Sequence, residues 1–398
     1  MTSYKKFAAN VLLLSLILPV GALDRVSVLE TSPQERFARK IVVFEEGLTS
    51  TERDEVLGGL ASKRIKRFNL ALEADVLENL SSQDVERLVA NSKVKRVDDD
   101  VTVRVQSHLT SSVQAAQVLP WGIDRIDAEL VWPSGNNADP IKVGVIDTGI
   151  SLSHSDLQAN IKGNYNAIRP WRNAEDDNGH GSHVAGTIGA LNNTVGVIGA
   201  APRVDLYAIK ALDRNGSGWL SDIIEGIDWS IQKGIRVINM SLGTTADIQS
   251  MHDAVIRARN AGIVQVAAAG NSGGAVIYPA AYPEVIAVSA TDSSNNLASW
   301  SSRGPEVDLS APGVSVYSTY KGTGYATLSG TSMATPHVTG TAALVLNTAV
   351  GGYDLDGDGA WDPNEVQNKL QDKATDLGTA GFDNLYGWGL VNAFNATQ

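Results

Sequence analysis

Three separated segments carry residue types that can do chemistry together. Val143 to Ile146 is an apolar run that ends on Asp147, followed by Thr148-Gly149. Asn178-Gly179 leads into His180-Gly181-Ser182-His183, the start of an apolar helical stretch. Ser329-Gly330-Thr331 leads into Ser332-Met333-Ala334, and the helical pattern continues to Leu346. Serine alone is a weak nucleophile at neutral pH. A neutral imidazole can take its proton, and a buried carboxylate can fix the imidazole tautomer and stabilise the imidazolium. A Ser entering a helix N-terminus also sits where developing negative charge is favoured. Pro336 is expected in the first turn of that helix, where no backbone donor is lost. An isolated Asp, His or Ser is usually solvated or structural; three matched segments in order carry the catalytic reading. His154, His183 and His337 read as packing residues. His180 and His183 lack the i, i+4 spacing and the Glu of a helical zinc pair.

A second pattern is acidic. With Asp354 as position 1, Asp356 falls at 3, Asp358 at 5, Gly359 at 6 and Glu365 at 12. That is the full EF-hand loop pattern. Three carboxylates, the Ala360 carbonyl, Asp362 through water and a bidentate Glu365 would supply the oxygens that calcium needs. The bland reading is an acidic surface turn.

These residues need elements to hold them. From Gln117 on, short apolar strands alternate with helices: Lys142 to Ile146, Val204 to Ile209, Arg236 to Met240, Ile263 to Ala269 and Val285 to Ser289, with helices over Leu220 to Gln232 and Gln249 to Ala261. That order predicts an α/β fold, a mostly parallel sheet with helices on both faces. Active sites of such sheets lie at the carboxyl ends of the strands. Residues 23–106 read as a small α+β domain ordered strand, helix, strand, helix, strand: Lys40 to Phe44, Thr49 to Ser62, Arg64 to Leu72, Ser82 to Ala90 and Val94 to Val105. Residues 107–115 read as a linker. Residues 1–22, with Lys5-Lys6, an apolar run from Val11 to Val20 and small Gly21-Ala22, read as a signal peptide, so the protein is expected to be secreted.

The 398 residues contain no cysteine and carry a net charge of -12. Residues 1–115 are neutral, so the whole charge lies in residues 116–398. An acidic body argues against nucleic-acid binding and against anionic membrane surfaces. Zero Cys excludes disulfides and thiol nucleophiles.

On the three segments above, the chain resembles the subtilisin-like serine proteases (subtilases), from about Ala116 to the C-terminus with an insertion at about 351–366. The resemblance implies Asp147 as orienter, His180 as base and Ser332 as nucleophile. It implies Asn271, in Ala268-Ala269-Gly270-Asn271, as an oxyanion donor beside the Ser332 amide. It implies a cleft edged by Gly216-Ser217-Gly218 and Ser241-Leu242-Gly243, in which a polypeptide substrate adds as a strand, with Gly270 lining the pocket for the residue before the scissile bond. The stretch from Asn271 to Tyr278 is short for the family, and Ile277 stands where a small residue is common, so a shallower pocket is expected. A second calcium is implied at Gln117, Asp156, Leu191, Asn193, Val195 and Val197. Residues 23–106 resemble the inhibitory propeptide, which covers the cleft as an intramolecular inhibitor and is cut off by the enzyme itself, here anywhere from about Gln106 to Ala116. A secreted, calcium-stabilised, monomeric serine endopeptidase is the expectation. A metallohydrolase and an inactive secreted calcium-binding protein are the alternatives.

Overall fold

The computed structural model describes residues 39–111 and 116–398. The leader at 1–22, the first part of the small domain and residues 112–115 lie outside the described residues. The small domain opens with β1 (Arg39–Phe44), α1 (Ser50–Leu57), β2 (Lys63–Phe68), β3 (Ala74–Glu78), α2 (Ser82–Val89) and β4 (Val94–Asp99). Its antiparallel sheet has the order β2-β3-β1-β4. Both helices start with reciprocal caps, Thr49 with Glu52 and Ser81 with Asp84.

Two expectations are corrected here. The first helix stops at Leu57, because Gly58-Gly59 breaks it and Leu60 donates back to the Leu57 carbonyl. The domain also has the extra strand β3. Ala, Leu and Glu favour helix in isolation, but Ala74, Val76 and Leu77 are buried in the sheet, and pairing on both edges outweighs propensity.

Beyond β4 the chain forms β5 (Thr102–Val105) and β6 (His108–Ser111), then α3 (Trp121–Arg125), β7 (Lys142–Asp147), β8 (Ile161–Asn166), α4 (His180–Gly189), β9 (Asp205–Lys210), β10 (Ser217–Trp219), α5 (Leu220–Lys233), β11 (Val237–Met240), β12 (Leu242–Gly243), α6 (Gln249–Asn260), β13 (Val264–Ala268), β14 (Ile286–Thr291), β15 (Val307–Pro312), β16 (Val316–Thr319), β17 (Tyr325–Ser329), α7 (Thr331–Leu346), α8 (Pro363–Asp372) and α9 (Ala393–Ala396). Seven strands form one parallel sheet, β15-β14-β13-β11-β7-β9-β8. The expected α/β architecture is observed. The apolar helix α7 is buried along nearly all its length and packs on α4 and on the central strands.

The small domain seats its sheet on α5 and α6. Ile41, Val43, Phe68 and Leu72 share a core with Ile223, Met251 and Val255. Polar contacts fix the register. Asp100 accepts from the amide and hydroxyl of Ser221, both at 2.8 Å, at the N-terminus of α5. Asp98 accepts from the Ser250 hydroxyl at the N-terminus of α6. Carboxylates at helix N-termini satisfy orphan amides or hydroxyls and meet the positive end of the dipole. Arg39 pairs with Asp100 at 2.8 Å, Arg96 with Asp253 at 2.6 Å, and Lys66 with Asp222 at 3.1 Å. Burial pushes the Asp222 carboxyl up to about 6 even with Lys66 beside it.

Helix α7 also carries a buried titratable group. His337 donates Nδ1–H to the Met333 carbonyl at 2.8 Å, while its Nε2 has no partner among the described residues. Burial pushes its imidazole down from 6.5 to about 4. Protonation therefore favours the unfolded chain, and this group's stabilisation is lost as pH falls from 6.5 towards 4. In a Ser332→Ala background, which avoids self-digestion, His337→Gln is expected to flatten the acid branch of a Tm-against-pH profile. An unchanged slope over that interval would contradict the assignment.

Candidate active site

Asp147 ends β7 and is fully buried. His180 opens α4, and its Nδ1 lies 2.8 and 2.9 Å from the two Asp147 carboxylate oxygens. With the proton on Nδ1, Nε2 is left as the free acceptor; it has no partner among the described residues. His183, one turn on, turns the other way. Its Nε2 donates to the Val316 and Ala326 carbonyls at 3.0 and 3.1 Å, and burial pushes it down to about 3. The two imidazoles therefore serve different partners and do not form a metal pair.

Ser332 is the second residue of α7. Its Oγ donates to the Ser241 carbonyl at 3.0 Å, and the Ser241 hydroxyl donates back to the Ser332 carbonyl at 2.9 Å. That second bond corrects the expectation for Pro336. Pro336 is the sixth helical residue, beyond the first turn. Its missing N–H would have faced the carbonyl four residues back, at Ser332. The Ser241 hydroxyl takes the freed carbonyl. Behind it, Asn239 Nδ2 donates to Ser241 Oγ at 2.9 Å, and Thr339 Oγ1 donates to Asn239 Oδ1 at 2.9 Å. Asn239 and Thr339 were not singled out from the sequence. Thr339 lies seven residues after Ser332, two turns along the same helix face, and that spacing is the one local signal it offered.

The cleft is filled by the chain's own backbone. Strand β5 lies antiparallel between β10 and β12. Arg104 is opposite Ser217 on one side and Gly243 on the other; Val105 is opposite Leu242 and donates its amide to the Gly216 carbonyl at 3.0 Å. The next residue reaches Ser332: the Gln106 carbonyl accepts the Ser332 amide at 3.3 Å, and the Gln106 amide donates to Ser332 Oγ at 3.1 Å.

Asn271 stands beside this carbonyl. Its Oδ1 accepts the Thr331 amide at 3.0 Å and the Thr331 hydroxyl at 2.9 Å, which leaves Nδ2 facing the cleft. A Cβ added at Gly330 would lie 2.2 Å from the Gln106 carbonyl oxygen and 3.2 Å from Asn271 Nδ2, so both flank the same small space. A cavity of about 420 Å³ beside Gln106 is lined by Gly243, Thr244, Asn271, Ser272 and Ile277. Ile277 packs between the two pocket glycines: a Cβ at Gly243 would lie 2.4 Å from its Cδ1, and one at Gly270 3.3 Å from its Cγ1.

Asp354, Asp356 and Asp358 bring carboxylate oxygens within 4.8 Å of one another. Gly357 and Gly359 have φ of 80 and 77, a left-handed turn that glycine permits. Asp362 and Glu365 form the reciprocal cap of α8, and Glu365 also accepts the Leu355 amide at 2.7 Å, tying the two ends of the loop. Only α8 flanks the loop as a full helix; Gly351–Tyr353 before it is a 3-10 turn. At the other set, Gln117 donates to the Leu191 carbonyl at 2.8 Å, and buried Asp156 accepts from Asn193 at 2.6 Å, from the Val197 amide at 3.0 Å and from the Tyr325 hydroxyl at 3.0 Å. Val195 donates its amide to Asn193 Oδ1 at 2.7 Å, so all six residues meet. Every residue of both sets carries an oxygen, the donor a hard cation such as calcium prefers, while at the second set the Gln117 and Asn193 amide nitrogens face Leu191 and Asp156.

Comparison with known proteins follows the same residues. The profile of the subtilase family matches residues 138–389. An alkaline protease of Alkalihalobacillus alcalophilus is 44% identical over 320 residues, covering 80% of this chain and 78% of the relative. Subtilisin Savinase of Lederbergia lenta is 47% identical over 284 residues, 71% of this chain and 100% of the relative. Subtilisin DY of Bacillus licheniformis is 48% identical over 288 residues, with 71% and 100% covered.

The crowding at Gly330 makes a direct test. Gly330→Ala is expected to retain the fold by circular dichroism and to lower peptide hydrolysis at least 100-fold. Activity within tenfold of the parent would mean that the space beside Ser332 is not where a peptide carbonyl sits.

Proposed function

The chain belongs to the subtilase family and is a serine endopeptidase, and from that premise we propose that it matures by cutting itself, with Ser332 as nucleophile, His180 as general base and Asp147 as orienter. The observation that carries this reading is the Gln106 carbonyl resting on the Ser332 amide while β5 fills the cleft. In this reading Ser332 Oγ attacks the peptide carbonyl and His180 Nε2 takes its proton. Asp147 keeps the imidazole oriented and stabilises its charged form. The oxyanion gains hydrogen bonds from the Ser332 amide and Asn271 Nδ2; losing one such side-chain donor typically costs about 10²–10³ in turnover in this family. His180 then protonates the leaving amine, and water releases the acyl group. Gly216, Ser217 and Gly218 on one side, with Ser241, Leu242 and Gly243 on the other, hold the substrate backbone.

Residues 39–106, with the preceding segment from 23, act in this reading as an intramolecular inhibitor and folding template. Export follows from the leader-like residues 1–22, which lie outside the described residues. Among the described residues no helix is long and apolar enough to cross a membrane.

Calcium belongs to the same proposal. Asp354, Asp356, Asp358, the Ala360 carbonyl, Asp362 through water and Glu365 would hold one ion. Gln117, Asp156, Leu191, Asn193, Val195 and Val197 would hold another. Bound calcium would offset clustered negative charge and tie loops together in a chain with no disulfide.

The nucleophile is tested first. Ser332→Ala is expected to abolish both peptide hydrolysis and release of the N-terminal domain, read by gel and by a peptide anilide assay; surviving activity at either would overturn the mechanism. The pocket is tested next. Ile277→Gly is expected to raise kcat/KM for a large aromatic residue before the scissile bond by about 10–100-fold relative to alanine, a pocket-filling effect of a few methylenes. An unchanged ratio across a peptide series would remove Ile277 from the pocket. For calcium, Asp354→Ala with Asp358→Ala is expected to lower the bound ions by one per chain and to lower Tm only when calcium is present. Unaltered stoichiometry by equilibrium dialysis would reassign the loop to an acidic turn.

A further inference from the structure

We infer that the first self-cleavage breaks the Gln106–Ser107 peptide bond, and that the cut leaves residues 107–116 attached to the enzyme, with His108–Ser111 as a strand on the leaving-group side of the cleft. The inference rests on the reading of Ser332 as nucleophile. It adds which bond is cut and what the cut leaves behind.

The chain is held on both sides of this one bond. Before it, β5 is paired on two edges and the Gln106 backbone makes two contacts to Ser332. After it, Ser107 passes against the turn that carries the nucleophile: its Cα would lie 2.9 Å from a Cβ on Gly330. The chain then continues as β6, antiparallel to β17, with His108 opposite Ser329, Leu109 opposite Leu328 and Ser111 opposite Thr327. A polypeptide paired to edge strands on either side of the nucleophile is in the position of a substrate, not only of a product.

A second anchor excludes the later bonds. Gln117 donates its amide to the Thr194 carbonyl at 3.3 Å, Val118 donates to Gly196 at 2.8 Å, and the Gln117 side chain reaches Leu191. Ala116 and Val118 bridge to Val195 and Val197. A cut at Ala116–Gln117 would need this anchor released and drawn into the cleft. Eleven residue steps separate Gln106 from Gln117, a reach of at most ~40 Å. That length lets the cleft and the Asp156 loop be engaged by the same chain at once, before any cleavage.

The step balances. The Ser332 Oγ–carbon bond forms at Gln106 and the carbon–nitrogen bond to Ser107 breaks. The proton taken from Ser332 passes through His180 to the Ser107 nitrogen, which becomes the new amino terminus. Water then cleaves the ester, Gln106 leaves with a carboxyl group, and Ser332 regains its proton. The strand at 108–111 is now tethered through residue 116, so it stays at a high effective concentration beside β17. It competes with the part of a substrate that lies beyond the scissile bond. Removing it is a separate, later cut between molecules.

Three measurements on the full chain test this. Intact mass at the earliest quenched times is expected to give an N-terminal fragment ending at Gln106 and an enzyme beginning at Ser107. A first fragment ending at Ala115 or Ala116, with no Gln106 species before it, would overturn the assignment without needing any variant. Ser107→Pro, which removes the amide hydrogen and fixes φ, is expected to slow release at least tenfold, while Ser107→Ala releases at the parental rate. Equal rates for both would overturn it. The enzyme beginning at Ser107 and the one beginning at Ala116 are expected to hydrolyse a short peptide anilide equally. A peptide with four residues beyond the scissile bond is expected to show at least threefold lower kcat/KM for the Ser107 form; equal values would overturn the retained strand. Throughout, a Ser332→Ala precursor stays whole. If that variant is cut at Gln106–Ser107, the nucleophile reading fails rather than the choice of bond.

Discussion

One backbone hydrogen bond organises the molecule: the Ser332 amide on the Gln106 carbonyl, at 3.3 Å. It requires a helix N-terminus, a strand laid between two edges, and a domain that holds that strand in register. The small domain meets the last need through contacts at the starts of two helices. Asp100 caps α5 and Asp98 holds the Ser250 hydroxyl at the start of α6, while the sheet above them buries Phe68 and Leu72 against the same helices. The capping groups come from a part of the chain that the proposed cut removes. Its departure leaves Ser221 and Ser250 to water or to their own helices, so docking and helix capping are coupled.

Ser332 is held by a buried chain of polar groups, Thr339 to Asn239 to Ser241 to its own carbonyl. A proline inside α7 looks at first like a defect. It removes one helical bond and so frees the carbonyl that Ser241 uses. A fully satisfied network in a low-dielectric interior is stiff, because each broken bond would strand a buried polar group. Stiffness suits a serine whose Oγ must stay near the carbonyl of an incoming peptide. The Asp147–His180 pair is built from the carboxyl end of β7 and the first residue of α4.

The three segments proposed to be catalytic were legible because each carries a strong local signal. An acid ends an apolar strand, a His stands between glycines at a helix start, and a Ser follows a glycine turn into a helix. The clustering of Asp354, Asp356 and Asp358 was legible for the same reason, since their spacing is continuous in the chain. What was hidden is non-local. Strand β3 carries no strand pattern of its own and exists through its two neighbours. Strands β8 and β15 contain Gly, Asn, Asp or Pro, residues that strands usually disfavour. The partners of Glu365 are backbone amides, which no side-chain pattern announces. That Gln106 and not a later residue occupies the cleft follows from two anchors far apart in the fold. Spacing alone left every bond from Gln106 to Ala116 open.

The account's central claim is that the chain is its own first substrate, in its own cleft. The most direct measurement is the rate constant for release of the N-terminal domain over a hundredfold dilution of the freshly folded precursor. An intramolecular cut predicts a first-order rate constant that stays the same at every concentration, with no lag. A half-time that lengthens in proportion to dilution would place the cut between molecules and contradict the account.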